Sequence, residues 1–466
     1  MPQQHYRIAF LPVILVLLSI ATWAQAPGFS RNQVLADMDH YHQTLEAVHF
    51  NPWLHITKAN YLRQYDSLKA TLPDSLNASE FLVKLYWLSA LLKDGHAMPA
   101  LVQPILKNEY GKKQFLPFVP EYDDRNQIYL PANHPTPPGI RAGARILAIN
   151  GKNMTEFSRD ILQYQGGLPH YSREMSIKFF PIHLFLAGIT APFTLRCQET
   201  GGNIRTVVLQ EGSAFIDALA AGMPHIRDKG FSFRIIDQKI GYFNFRNMSG
   251  DHQVLDRFLD SIFTEMNTRK IEVFAVDLRQ NSGGNSLLGD LLLSYITRKA
   301  HSQMGTKYWK ISQAYKDNLV KNGNNGHPYL QKENGSTWQQ GNCSAHAPMF
   351  RVDSVFSGKV YFITGPFTFS SANMLADAVK QYQLATLIGE PTGESTNDFG
   401  ETMVFELPAT KIRMQTTTSF EVGADCDKSH NKPVAPDILI PNRIEEKIQG
   451  RDPVMEYLRK VSVITK

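Results

Sequence analysis

Residues 359–395 restrict the fold more than any other stretch. Val360-Tyr361-Phe362-Ile363-Thr364 is a short apolar run rich in β-branched and aromatic residues, which reads as a buried strand. Gly365-Pro366 ends it. Apolar residues then recur at Ala372, Leu375, Ala376 and Val379, the spacing of one helix face. Ser370 and Ser371 stand where that helix begins. A serine there points its hydroxyl at the positive end of the helix dipole, beside N–H groups with no intrahelical partner. The position suits a nucleophile that must carry developing negative charge. It equally suits an N-cap.

Ile271-Glu272-Val273-Phe274-Ala275-Val276-Asp277-Leu278 is a second buried-strand pattern, and it runs into Arg279-Gln280-Asn281-Ser282-Gly283-Gly284. Adjacent glycines let the backbone take positive φ and present N–H groups at close range, the makings of an oxyanion hole. Ile240 to Phe245 alternates as a strand, and Leu255, Phe258, Leu259, Ile262 and Phe263 mark a helix before the Asp277 strand. Strands alternating with helices predict an α/β fold around a largely parallel sheet.

Two motifs taken together are far more specific than either alone. Asp277-Leu278-Arg279-x-Asn281-x-Gly283-Gly284, followed by Thr368-x-Ser370-Ser371-Ala372, resembles the C-terminal (tail-specific) processing peptidases and their tricorn-core relatives. The resemblance implies a serine peptidase with a ClpP/crotonase-like catalytic domain. Ser370 would be the nucleophile, and the N–H groups of Gly283 or Gly284 with Ser371 would hold the oxyanion. Asp277 and Arg279 would support the loop. Pro433-Val434-Ala435-Pro436-Asp437 resembles a further landmark of the family, with Pro433 in place of its glycine.

Residues 1–26 hold Arg7, an apolar run from Ile8 to Ala21, and Ala24-Gln25-Ala26 at the end. A basic start, a short apolar middle and an A-x-A close predict a secretory signal peptide, and so an exported chain, periplasmic or extracellular. The run is shorter than the ~20 apolar residues a comfortable span requires, so no stable membrane span is expected after its removal. The net charge of +5, or +4 without Arg7, is too small and dispersed to argue for nucleic acid. Cys197, Cys343 and Cys426 lack metal-ligand spacing. Either Cys343 pairs with Cys426 or the thiols are free. No metal or organic cofactor is implied, and the oligomeric state is not legible.

Residues 27–104 predict an N-terminal helical domain: Leu35, Met38, Tyr41 and Leu45 are one helical set, Tyr61, Tyr65 and Leu68 a second, Phe81, Leu82, Leu85 and Leu88 a third. Residues 105–212 predict a β-rich domain. Its Gly143-Ala144-Arg145-Ile146-Leu147-Ala148-Ile149-Asn150-Gly151 resembles a stretch of PDZ domains, which bind extended peptides at a sheet edge. The catalytic domain spans 213–466, with the polar, turn-rich residues 300–350 expected as a surface insertion.

One departure bears on mechanism. Tail-specific proteases pair the serine with a downstream lysine, but no lysine occurs between Lys380 and Lys411. The tricorn-like arrangement, with a histidine base, fits better. Asp94-Gly95-His96 follows the third helix, and in that branch a histidine in this region is the general base, which His96 would then be. Asp94 could orient its ring. A carboxylate from the C-terminal part completes the site in the tricorn relatives; Glu394, Glu401, Asp425 and Asp427 are the candidates. The expected activity is hydrolysis of protein or peptide substrates. The missing lysine motivates a second reading, a catalytically inactive peptide-binding homologue. A crotonase-type acyl-CoA enzyme is a third, and the export signal and PDZ-like segment argue against it.

Overall fold

A computed structural model describes residues 28–132, 139–227, 230–350 and 352–464. The signal-peptide segment 1–26 lies outside them. The described residues form a mixed α/β protein built on three larger sheets and one two-stranded sheet, Phe29–Ser30 with Ser75–Leu76.

The N-terminal part contributes α1 (Arg31–Val48), α2 (Lys58–Ala70) and α3 (Ala78–Ala90), then a short strand β1 (Met98–Pro99). Ser30 and Asn77 start α1 and α3 with reciprocal capping boxes through Gln33 and Glu80. The buried seam of α1 is Val34, Met38, Tyr41, Leu45 and Val48; Leu35 is only partly buried. Asp37 is buried on the same face and accepts hydrogen bonds from the N–H groups of Ala409 and Thr410, both 2.8 Å, fastening this helix to the C-terminal half.

The middle part forms a sheet of β2 (Glu121–Tyr122), β3 (Ile128–Tyr129), β4 (Arg145–Ile149), β6 (Phe193–Gln198) and β7 (Ile204–Leu209), in that order, with β5 (Lys152–Asn153) on β4. Asn150 and Gly151 both take positive φ, 47° and 81°, which closes the two-residue hairpin between β4 and β5. Helices α4 (Met154–Ile161), α5 (Pro169–Lys178) and α6 (Phe180–Leu186) cover it, and α7 (Phe215–Gly222) follows the last strand.

The C-terminal half holds a six-stranded, mostly parallel sheet. Its strands are β8 (Phe231–Ile236), β9 (Ile240–Phe245), β10 (Val273–Asp277), β13 (Lys359–Thr364), β14 (Thr386–Gly389) and β17 (Ile438–Leu439). Every pairing from β9 onward is parallel. Such a sheet must be covered on both faces, and β10 shows how. Phe274 and Val276 join the core beneath α8 (His252–Thr268), α9 (Leu287–Ser294) and α11 (Ser371–Gln381). Val273 and Ala275 face Val454, Met455 and Leu458 of α12 (Pro453–Ile464). Burying Phe274 completely contributes about 1.5–3 kcal/mol.

The third sheet is antiparallel: β12 (Thr337–Gln340), β11 (Thr306–Lys310), β16 (Arg413–Val422) and β15 (Asp398–Glu406), with β1 paired on β16. It corrects the reading of 300–350 as a surface insertion. β11 is an inner strand of this sheet, Trp309 is buried, and Tyr329, beyond α10 (Gln313–Lys321), is fully buried. The aromatic residues of this stretch do not fall at one period, so their core role is invisible in the polar sequence around them. Cys343 and Cys426 form a disulfide that ties it to the segment after β16, and Cys197 is a buried free thiol.

Candidate active site

β10 and β13 are parallel neighbours, with Asp277 opposite Ile363. Their following loops therefore emerge side by side at the carboxyl edge of the sheet, where open α/β folds bind ligands. Two contacts sew the loops together and a third ties the glycine loop to β9. Thr368 Oγ1 donates to Leu278 O at 2.9 Å, Phe369 N–H to Asn281 O at 3.0 Å, and Asn281 Nδ2 to Phe245 O at 2.8 Å. Beneath them Arg279 spans the carboxylates of Asp277 and Asp452.

Ser370 occupies the N-cap position of α11 but does not act as a cap. Its side chain makes no capping hydrogen bond, and its backbone sits at φ 53°, ψ −130°. A non-glycine residue there costs of order 1–3 kcal/mol. The residue is partly exposed, so its hydroxyl can meet an incoming group. Ser371 is buried, with Oγ donating to Gly284 O at 2.6 Å.

The glycine loop packs directly on this turn. Gly283 has φ 95° and Gly284 φ 135°. A Cβ on Gly283 would stand 2.7 Å from Ser370 Cβ and 2.8 Å from Ser371 N. Its N–H donates to Asn281 Oδ1 at 2.9 Å. Of the three residues assigned to the oxyanion hole, Gly283 thus has its amide committed, which leaves those of Gly284 and Ser371. Gly283→Ala is expected to push the serine turn out of place and lower kcat by about 10²-fold, the usual effect of a shift near 1 Å. Steady-state kinetics beside a circular dichroism check of folding measures this.

His96 arrives from the N-terminal part. α3 ends at Ala90, Lys93 turns with φ 56°, and β1 then pairs with β16. β16 also holds the loop by side chains. Gln415 Nε2 donates to His96 O at 2.9 Å, and Thr417 Oγ1 to Asp94 Oδ2 at 2.8 Å. The His96 ring lies 4.6 Å from the Phe369 ring, and Tyr171 of α5 stacks on Phe369 at 4.1 Å. Gly95 is required here, because a Cβ would stand 2.6 Å from Phe369.

Glu394 stands between the two. Its Oε2 accepts the Ser370 N–H at 2.6 Å, and its Oε1 lies 3.5 Å from His96 Nδ1. Asp94 Oδ1 lies 3.6 Å from the same nitrogen, which is buried and makes no hydrogen bond. The other proposed carboxylates lie elsewhere: Glu401 pairs with Lys307, Asp425 with His430, and Asp427 caps an exposed turn at Ser429. Asp398 and His49 escaped the sequence reading. Asp398 adds a further carboxylate to the cluster, and His49 Nε2 lies 3.1 Å from Asp94 Oδ2. No local pattern marks either.

The charges interact strongly. Burial opposes the charge on Asp94, yet hydrogen bonds from His49 and His96 hold it well below the usual carboxylate range. Burial pushes Glu394 well above that range, and Asp398 adds to the push while His96 opposes it. Burial and then Asp94 carry Asp398 up to about 7. For His96, burial disfavours the imidazolium, but Glu394 and then Asp94 outweigh it, to about 9. Burial opposes the Glu394 charge that raises His96. Asp94 stays ionised regardless, so the upward direction for His96 stands.

The model of peptidase family S41 matches residues 239–440. That stretch covers the parallel sheet, the glycine loop, Ser370 and Glu394. Residues 239–440 belong to peptidase family S41. The chain is accordingly a serine peptidase, a hydrolase, in line with the resemblance read from its two motifs. Beyond the S41 stretch, the fold extends over nearly a whole solved relative. Mature CPAF superposes with a TM-score of 0.64 at 16% identity, over 93% of this chain and 96% of that one. Mature CPAF complexed with lactacystin gives 0.63 at 15% identity, over 93% and 98%. No curated protein matches the chain in sequence. Among the described residues, no three His, Cys, Asp or Glu side chains are placed to hold a metal, and no helix is long and apolar enough to cross a membrane.

Proposed function

We propose that the chain is an exported endopeptidase in which Ser370 attacks the peptide carbonyl and His96 takes its proton. Gly284 and Ser371 N–H groups receive the oxyanion. Glu394 spans the two catalytic segments, fixing the Ser370 turn with one oxygen and facing His96 with the other. The same proposal takes the parallel-sheet unit as ClpP/crotonase-like and residues 105–212, with strands β2–β7, as a PDZ-like domain that meets the substrate peptide. The observation that carries it is the uncapped, positive-φ Ser370 packed on a glycine loop, with Glu394 bonded to its N–H and facing the imidazole of His96. His96 Nδ1 faces the carboxylates of Glu394 and Asp94, which leaves Nε2 to take the hydroxyl proton.

A histidine base works only when neutral. With His96 raised to about 9, most of it is protonated at pH 7, and activity is lost as pH falls through that value. The expected profile of kcat/KM on an unfolded protein such as casein rises to a limb near pH 9. Glu394→Gln removes one charge that favours the imidazolium and moves the limb to lower pH. No turnover at any pH would favour the inactive peptide-binding homologue instead, and a limb unmoved by Glu394→Gln would detach Glu394 from the base.

A further inference from the structure

We infer that His49, at the far end of α1, is a positioning residue for the general base; the inference rests on the peptidase reading above. His49 is fully buried, and its ring meets Phe399 edge-on at 4.4 Å. The Asn51 N–H donates to its Nδ1 at 3.1 Å. That nitrogen is therefore the acceptor, and the ring proton sits on Nε2, aimed at Asp94 Oδ2. Thr417 Oγ1 donates to the same oxygen, and the His96 N–H to Oδ1 at 2.7 Å. The Asp94 carboxylate is thus gripped by donors from three places: the end of α1, strand β16 and its own loop.

A buried carboxylate held this way cannot rotate. Its Oδ1 stays 3.6 Å from His96 Nδ1, where its charge favours a proton on that nitrogen and leaves Nε2 as the base. A buried histidine with no catalytic contact otherwise has no evident reason to be there, since an apolar side chain would fill the space without a polar group to satisfy. The groups facing His96 are Asp94 on its own loop, Glu394 from the segment after β14, and Asp398 at the start of β15. Neither of the latter two shares a hydrogen bond with His49, so the influence of His49 passes through Asp94.

The test uses the mature full chain and casein turnover across pH. His49→Leu removes the donor, leaves Asp94 charge less offset, and lets the carboxylate turn. The expected result is a kcat roughly 10–100-fold lower, as for other residues that orient a working ligand, with KM little changed and the limb moved to higher pH. His49→Gln restores an N–H near the Nε2 position and should recover most of the rate and the original limb. Thr417→Val, which removes the other donor to Oδ2, should move the limb the same way, and it serves if His49→Leu does not fold. Overturning results are a His49→Leu enzyme with the wild-type kcat and limb, or Gln and Leu variants that lose rate equally with no movement of the limb. An inert wild-type chain would overturn the peptidase reading and this role together, and is seen before any variant is made.

Discussion

Ser370→Ala is expected to lower kcat on the order of 10⁶-fold, the scale on which serine peptidases lose rate with their nucleophile. The structure gives reasons to expect the substitution to act on chemistry alone. The Ser370 hydroxyl makes no capping bond to α11, so no helix stabilisation goes with it. The Glu394 contact is to the backbone N–H, which alanine keeps. Alanine also carries the same Cβ against Gly283. The expected outcome is an unchanged melting temperature and KM beside an almost complete loss of turnover. A Ser370→Ala chain that still cleaves casein at a tenth of the wild-type rate would assign the nucleophile elsewhere.

His96→Ala is expected to cost about 10⁴–10⁶-fold in kcat, because a hydroxyl without its base is a weak nucleophile at neutral pH. Unlike Ser370, His96 belongs to a buried ionic cluster, and removing it changes the others. Glu394 loses the cation that draws it down, so its carboxyl stays protonated over a wider range, and Asp94 loses one partner. Some loss of stability should accompany the loss of rate. The informative comparison is pH: the residual activity of His96→Ala should climb with hydroxide concentration and show no limb near 9. A limb that persists in His96→Ala would mean that another group titrates in the base role.

What the sequence disclosed and what it hid follow a physical line. The Asp277 and Thr364 strands were legible because buried parallel strands are continuous apolar runs, and the loops after them because glycine, proline and serine mark turns. His96 stood out by its place after the α3 pattern. The choice of Glu394 among four carboxylates was not legible, since it depends on how the segment after β14 folds back over Ser370. β16 was hidden for a different reason. Gln415-Thr416-Thr417-Thr418-Ser419 has no apolar alternation, yet Thr416 to Ser419 are fully buried. Three side chains of this run meet partners on other segments: Gln415 holds His96 O, Thr417 holds Asp94, and Thr418 Oγ1 donates to Glu401 O. His49 was hidden likewise, as its partner Asp94 lies on another segment. Buried polar side chains carry no period that a sequence pattern can register.

Ser370 as an activated nucleophile is the claim on which the account rests, and a covalent probe addresses it without knowledge of the natural substrate. The mature chain is treated with a fluorophosphonate, digested, and mapped by mass spectrometry. The account predicts a single adduct on Ser370, formed faster as pH rises toward 9 and absent from the Ser370→Ala chain. A chain that digests casein while Ser370 stays unmodified, or an adduct on another serine that persists in Ser370→Ala, would contradict it.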